Sequence, residues 1–138
     1  MAERFGQNHF SHTLGVQILH ANEGRCLIKL PVQPGHRQNL GFVHGGILAT
    51  LADIAMGFAA SSLQDDDHHV LTGELKISYL NPGIGDEIYA EGITLKAGRK
   101  IVFVEAEVFT LTGETRKLVA KASSSMVVID RRDVVNGG

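Results

Sequence analysis

The chain has 138 residues, 43% hydrophobic and 20% charged, with a formal net charge of −2. That length and composition support one soluble domain with its own core and exclude a disordered chain. The near-neutral charge excludes a general electrostatic attraction for nucleic acid or membrane, and the single cysteine, Cys26, excludes an intrachain disulfide and a Cys-rich zinc site.

Residues 1–12 are polar apart from Phe5 and Phe10, and the expectation is a short helix that lays both rings on the core. Residues 1–6 contain no apolar signal core, and no apolar run in the chain approaches a membrane span, so a cytoplasmic protein is expected. A strand is expected over 16–21. Asn22-Glu23-Gly24 then signals a turn, and 25–32 alternates, with Cys26, Ile28 and Leu30 on one face. Residues 33–42 form a loop rich in Gly, Pro, Asn and Gln. Over 44–62, Leu48, Leu51, Ala52, Ala55, Met56 and Ala59 recur at three- and four-residue steps. This helix is apolar almost all round and rich in Ala and Gly, which predicts burial and close approach by another surface.

After a charged loop at 64–69, the rest reads as strand. Over 70–80, strict alternation places Leu71, Gly73, Leu75, Ile77 and Tyr79 on one face and Thr72, Glu74, Lys76 and Ser78 on the other. Turns at 81–86, 97–100 and 112–114 separate strands expected over 87–96, 101–110 and 115–129, and 130–138 reads as a frayed polar tail. There is no βαβ alternation, so the expected class is α+β: an antiparallel sheet of about six strands wrapped around one long central helix, as a single domain over 1–138.

His44-Gly45-Gly46 opens that helix, Leu51-Ala52-Asp53 follows, and the strand from Thr72 to Tyr79 exits into Leu80-Asn81-Pro82. At these spacings the chain resembles the hotdog fold, and more narrowly the phenylacetic-acid-degradation (PaaI-like) type of acyl-CoA thioesterase, over roughly residues 12–129. The resemblance implies hydrolysis of a thioester to a free acid and coenzyme A, with no metal or other cofactor. It implies a homo-oligomer, a dimer or a dimer of dimers (a homotetramer), with sites at its interfaces. It gives the backbone N–H of Gly45 the thioester carbonyl, Asp53 the role of nucleophile or general base, Thr72 a hydroxyl assisting at the base or water, His44 the shaping of the helix start, and Gly46 a place among the substrate-binding residues. The family's Asn, six residues before the His, is here Gln38, with Asn39 one residue later: either the loop shifts so that Asn39 serves, or Gln38 substitutes. Phe42, Val43, Met56 and Leu80 are expected to line an acyl pocket for aromatic or medium-chain groups. The basic turn of Lys96, Arg99 and Lys100 is a candidate for the coenzyme A phosphates.

The chemistry is consistent with those positions. A helix start offers free N–H groups and the positive end of the macrodipole, and Gly allows close approach of a developing oxyanion. A carboxylate on an apolar helix is costly unless it is hydrogen-bonded or faces a cleft. Gly45 and Asp53 are eight residues apart, which on a straight helix is about 12 Å of rise. A general base works within about 3 Å of its proton. One chain therefore does not bring both groups to one thioester, and a site shared by two chains does.

Plainer readings stand beside these. Asp53 could be a structural carboxylate paired with Lys76 or Arg37. Asp65-Asp66-Asp67-His68-His69 reads as a solvated loop rather than a metal site. Ser123-Ser124-Ser125 reads as surface, and Cys26 as core rather than nucleophile. The competing function is a non-catalytic acyl-CoA-binding or regulatory protein on the same fold. A hotdog dehydratase or hydratase does not fit the helix pattern.

Overall fold

The structure is a computed structural model that describes residues 2–136. In chain order the elements are α1 (Ala2–Gly6), α2 (His9–Leu14), β1 (Gln17–Asn22), β2 (Arg25–Pro31), a 3-10 turn (Pro34–His36), α3 (Gly45–Ser61), β3 (His68–Tyr79), β4 (Glu87–Ala97), β5 (Ile101–Thr112), β6 (Thr115–Asp130) and α4 (Arg131–Asn136). The strands form one six-stranded sheet in the order β1-β2-β4-β5-β6-β3, antiparallel throughout. The chain leaves β2 near one edge, crosses the sheet as α3, and enters β3 at the opposite edge. The α+β expectation of a sheet around one long helix holds. Among the described residues, no helix is long and apolar enough to cross a membrane.

The core forms where the apolar faces of sheet and helix meet. Cys26, Ile28 and Leu30 on β2 are fully buried, as are Leu51, Ala52, Ala55, Met56 and Ala59 on α3. Burial pushes the Cys26 thiol up to about 12, so it stays protonated and packs as a small hydrophobe. The β1–β2 hairpin turns through Glu23 at φ 52° and Gly24 at φ 80°, the left-handed pair that a tight hairpin of this twist requires. Where β4 crosses beneath α3, a Cβ on Gly92 would lie 2.5 Å from the Ala55 carbonyl oxygen. Only glycine lets strand and helix approach that closely.

Four expectations change. Strict alternation in β3 fails at Gly73, an extra residue between the Thr72↔Met126 and Glu74↔Ser125 pairs. Such a bulge switches the faces of everything beyond it. Val70 and Thr72 turn inward before it, and Leu75, Ile77 and Tyr79 after it, while Leu71 is left 59% exposed. Glycine suits the bulge because a Cβ there would meet Val127 at 2.9 Å and the Ser125 carbonyl at 3.2 Å.

The N-terminal segment makes two short helices, restarted by Asn8, whose side chain accepts the Ser11 N–H at 3.1 Å. Phe5 packs edge-on against Phe58, whereas Phe10 is 58% exposed. Even on one helix, five residues turn the chain by about 140° away from a shared face. The expected tail instead forms α4 over Arg131–Asn136, started by Asp130, which accepts the Arg132 N–H at 2.9 Å; residues 137–138 lie outside the described residues. Within Ser123–Ser125, Ser124 faces inward and is buried, so that triplet is not wholly surface.

Gly92→Ala is expected to lower the unfolding free energy by about 1–3 kcal/mol through overpacking against α3. Urea denaturation checks this, with Gly35→Ala, where a Cβ meets nothing within 4 Å, as the neutral control.

Candidate active site

The first part of the site is the start of α3. His44 is its N-cap, with Nδ1 accepting the Gly46 N–H at 2.9 Å. The His44 carbonyl accepts from Ile47 and Leu48. The Gly45 N–H has no acceptor among the described residues, as expected for the first residue of a helix. Tyr79, turned inward by the Gly73 bulge, donates its O–H to the Gly45 carbonyl at 3.0 Å and holds the helix start against the end of β3. Gly45 opens onto a cleft of about 400 Å³, whose walls include Gln38, Phe42, Val43 and Leu80.

The second part lies two turns along the same helix. Asp53 is half-buried, and its Oδ1 accepts the Thr72 hydroxyl at 2.6 Å. Its other oxygen has no partner among the described residues. The ion pairs that would make it structural are absent there: Lys76 Nζ donates to Ser78 Oγ at 2.8 Å, and Arg37 bonds the Gly41 and Gly85 carbonyls beside Asp86. Asp53 and Thr72 open onto a separate cleft of about 570 Å³, walled also by Phe10, Gly57, Phe58 and His69. Desolvation, and then the charges of Arg4 and Arg131, hold the His69 imidazole below its ordinary range, so it is neutral at neutral pH.

The two clefts share no lining residue. About 12 Å of helix rise separates Gly45 from Asp53, and each opens onto its own cleft. Each has what the other lacks: an unpaired N–H at Gly45, an unpaired carboxylate oxygen at Asp53.

The remaining sequence candidates distribute unevenly. The loop before α3 turns tightly, with the Gln38 N–H bonded to Phe42 O at 2.8 Å, the Gly41 N–H to Gln38 O at 3.0 Å, and Gly41 at φ 89°. Asn39 sits at the outer corner, exposed and on neither cleft, while Gln38 lines the Gly45 cleft with its side-chain oxygen bonded to the Leu40 N–H. Met56 is fully buried in the core and reaches neither cleft, because its helical position faces the sheet. Gly46 is exposed, with its N–H taken by His44. Arg99 and Lys100 are exposed on the β4–β5 turn and line neither cleft. That turn does stand at the Asp53 end of the sheet, since the Lys100 carbonyl accepts the Val128 N–H and Ile101, Val127 and Leu71 form one row.

Tyr79 lines the Gly45 cleft and Phe10, Gly57 and His69 line the Asp53 cleft, places that the sequence reading did not assign to them. Only Tyr79 carried a signal, as the last strand residue before the Leu80-Asn81-Pro82 exit. In the acidic loop, His68 Nδ1 pairs with Asp65 Oδ1 at 2.7 Å. No group of three metal-binding side chains converges among the described residues.

The sequence profile of the thioesterase superfamily matches residues 40–117. Mouse acyl-coenzyme A thioesterase 13 is 29% identical over 107 residues, covering 77% of this chain and 74% of its own. The crystal structure of a thioesterase family protein from Silicibacter pomeroyi superposes with a TM-score of 0.89 at 28% identity, covering 94% of this chain and 95% of its own. A Bacillus halodurans protein whose crystal structure was determined with CoA superposes with a TM-score of 0.78 at 30% identity, over 93% and 80%.

The two neighbouring histidines are expected to titrate apart. Asp65 raises His68 above the ordinary histidine value, while burial lowers His69. The His68–Asp65 contact therefore supports the fold below the ordinary histidine value and is lost as pH rises through the raised one. NMR titration of the imidazole protons checks this: Asp65→Asn should bring the His68 midpoint down and leave His69 where it was.

Proposed function

Because this chain belongs to the thioesterase superfamily, we propose that it hydrolyses acyl-CoA thioesters to a free acid and coenzyme A, at sites each built from two copies of the chain. The observation that carries the reading is the separation of Asp53 from Gly45 into two clefts of one chain.

The edge strand supports the pairing. β3 is a twelve-residue strand at the open edge of the sheet, with one row of backbone groups unpaired within the chain. It braces both half-sites, through Thr72 on Asp53 and Tyr79 on Gly45. Antiparallel pairing of two β3 edges about a two-fold axis between residues 75 and 76 sets Thr72 of one strand opposite Tyr79 of the partner subunit. Asp53 then stands beside Gly45 of the partner subunit, and the symmetry makes two such sites. A homodimer is the smallest catalytic unit, and a dimer of dimers carries four sites.

The reaction follows from the groups that meet there. The unpaired oxygen of Asp53 takes a proton from water, which the Thr72 hydroxyl helps to position. The water oxygen attacks the thioester carbonyl carbon, and the carbonyl electron pair moves to its oxygen. That oxyanion faces the partner's Gly45 N–H and the positive end of its helix, which lowers the barrier. The carbonyl re-forms as the C–S bond breaks. The coenzyme A thiolate leaves and takes up the proton, and the acyl group leaves as the acid. Gln38 of the Gly45 cleft, rather than Asn39, contacts the thioester end. Arg99 and Lys100, at the Asp53 end of the sheet, hold coenzyme A phosphates. A non-catalytic acyl-CoA-binding protein is the second reading; the unpaired carboxylate oxygen in an open cleft favours the enzyme.

A thiol-trapping assay over short, medium and aromatic acyl-CoAs tests the proposal. Asp53→Asn is expected to lower kcat by about 100-fold or more without loss of thermal stability. Gly45→Pro removes the N–H at a helix position where proline is well tolerated, and the extended His44 (φ −62°, ψ 139°) suits a following proline. It is expected to lower kcat by about 10²–10³-fold. Near-wild-type turnover by either variant rejects the roles given to these residues. CoA binding without thiol release from any substrate selects the second reading.

A further inference from the structure

The Asp53 cleft continues along α3 past the carboxylate. Asp53, Ile54, Gly57, Phe58 and Ser61 lie at three- and four-residue steps on one stripe of the helix, and all of them line it. Ser61 marks the far end, about 12 Å of helix rise from Asp53. There Arg4 staples α1 across the end of the helix. Its guanidinium donates to Ser61 Oγ at 2.8 Å, Ser61 O at 3.3 Å, Asp65 O at 2.6 Å and His68 O at 3.1 Å. With four oxygen acceptors engaged, Arg4 closes the end of the cleft and is not free for a phosphate. Between the two ends the walls include the apolar Ile54, Phe58, Val70 and Met126, and the N-terminal segment adds exposed Phe10 beside Gln7, Asn8 and His9.

Gly57 lies midway, one turn beyond Asp53. A glycine inside a helix costs about 1 kcal/mol relative to alanine. Packing does not explain it: a Cβ at Gly57 meets nothing within 4 Å, whereas one at Gly92 meets backbone at 2.5 Å. The missing side chain leaves the cleft open next to the reacting carboxylate.

We propose that Gly57 and Phe10 determine which acyl groups this chain accepts: the acyl tail runs from Asp53 over Gly57 towards Ser61, beneath Phe10. The apolar stretch of the cleft at Ile54, Phe58, Val70 and Met126, stopped at its far end by Arg4, fits a medium-length alkyl or an aryl-bearing acyl group. The inference rests on the thioesterase reading of Asp53.

The test compares kcat/KM for acetyl-CoA, octanoyl-CoA and phenylacetyl-CoA in wild type, Gly57→Ala, Gly57→Leu and Phe10→Ala, with the oligomeric state of each followed by size exclusion. Gly57→Leu fills the channel and is expected to lower the octanoyl-to-acetyl and phenylacetyl-to-acetyl ratios about 50-fold, with Gly57→Ala in between. Phe10→Ala is expected to lower the same ratios about 10-fold, through KM. A Gly57→Leu chain that loses all three substrates equally, keeps the wild-type ratios, or dissociates overturns the inference while the thioesterase reading stands. A wild-type chain that releases thiol from no substrate overturns both.

Discussion

The stiffness of α3 is the constraint on which the rest depends. The helix is seventeen residues long and packs its buried face against the single six-stranded sheet. The close approach of Gly92 to Ala55 leaves it no room to shift. A rod held in this way fixes the spacing of everything mounted on it. Its start presents an unpaired N–H at Gly45, and two turns later it presents a carboxylate at Asp53. The rise between them follows from helix geometry and cannot be shortened by side-chain rotation. The fold that places these two groups on one helix also keeps them apart, which is the physical reason the proposed site draws on a second copy.

The strand that follows the helix carries the complementary information. Without the Gly73 bulge, Thr72 and Tyr79 would point to opposite faces of β3, and only one of the two half-sites could be braced. The extra residue puts both side chains on the helix side. Both braces therefore lie on an edge strand, seven residues apart, where antiparallel self-pairing exchanges them. Loss of regularity at one glycine thus ties the local hydrogen bonds to the proposed pairing of two chains.

Much of this was legible in the sequence because it follows from local rules. The periodicity of Leu48, Leu51, Ala55 and Ala59 located the helix, the alternation of Cys26, Ile28 and Leu30 gave the inner face of β2, and His44-Gly45-Gly46 marked the helix start. What was not legible depends on contacts between distant segments. The bulge arises from the register of β3 on β6, which alternation within β3 does not report. Met56 has the size and character of a pocket residue but faces the sheet. The turn that leaves Asn39 at an exposed corner and puts Gln38 on the Gly45 cleft depends on the loop's own hydrogen bonds. Phe10 and Gly57 line the Asp53 cleft through contacts between distant segments, which no local pattern reports.

The central claim is that each active site takes Asp53 from one chain and Gly45 from another, and subunit mixing tests it most directly. Asp53→Asn and Gly45→Pro chains, each inactive alone, are dissociated, combined in equal amounts and reassociated. Half of the randomly formed dimers are mixed, and each mixed dimer holds one intact site of two. The account therefore predicts recovery of about a quarter of wild-type kcat per site, at an unchanged KM. A mixture that forms mixed dimers yet stays as inactive as its parents would contradict it.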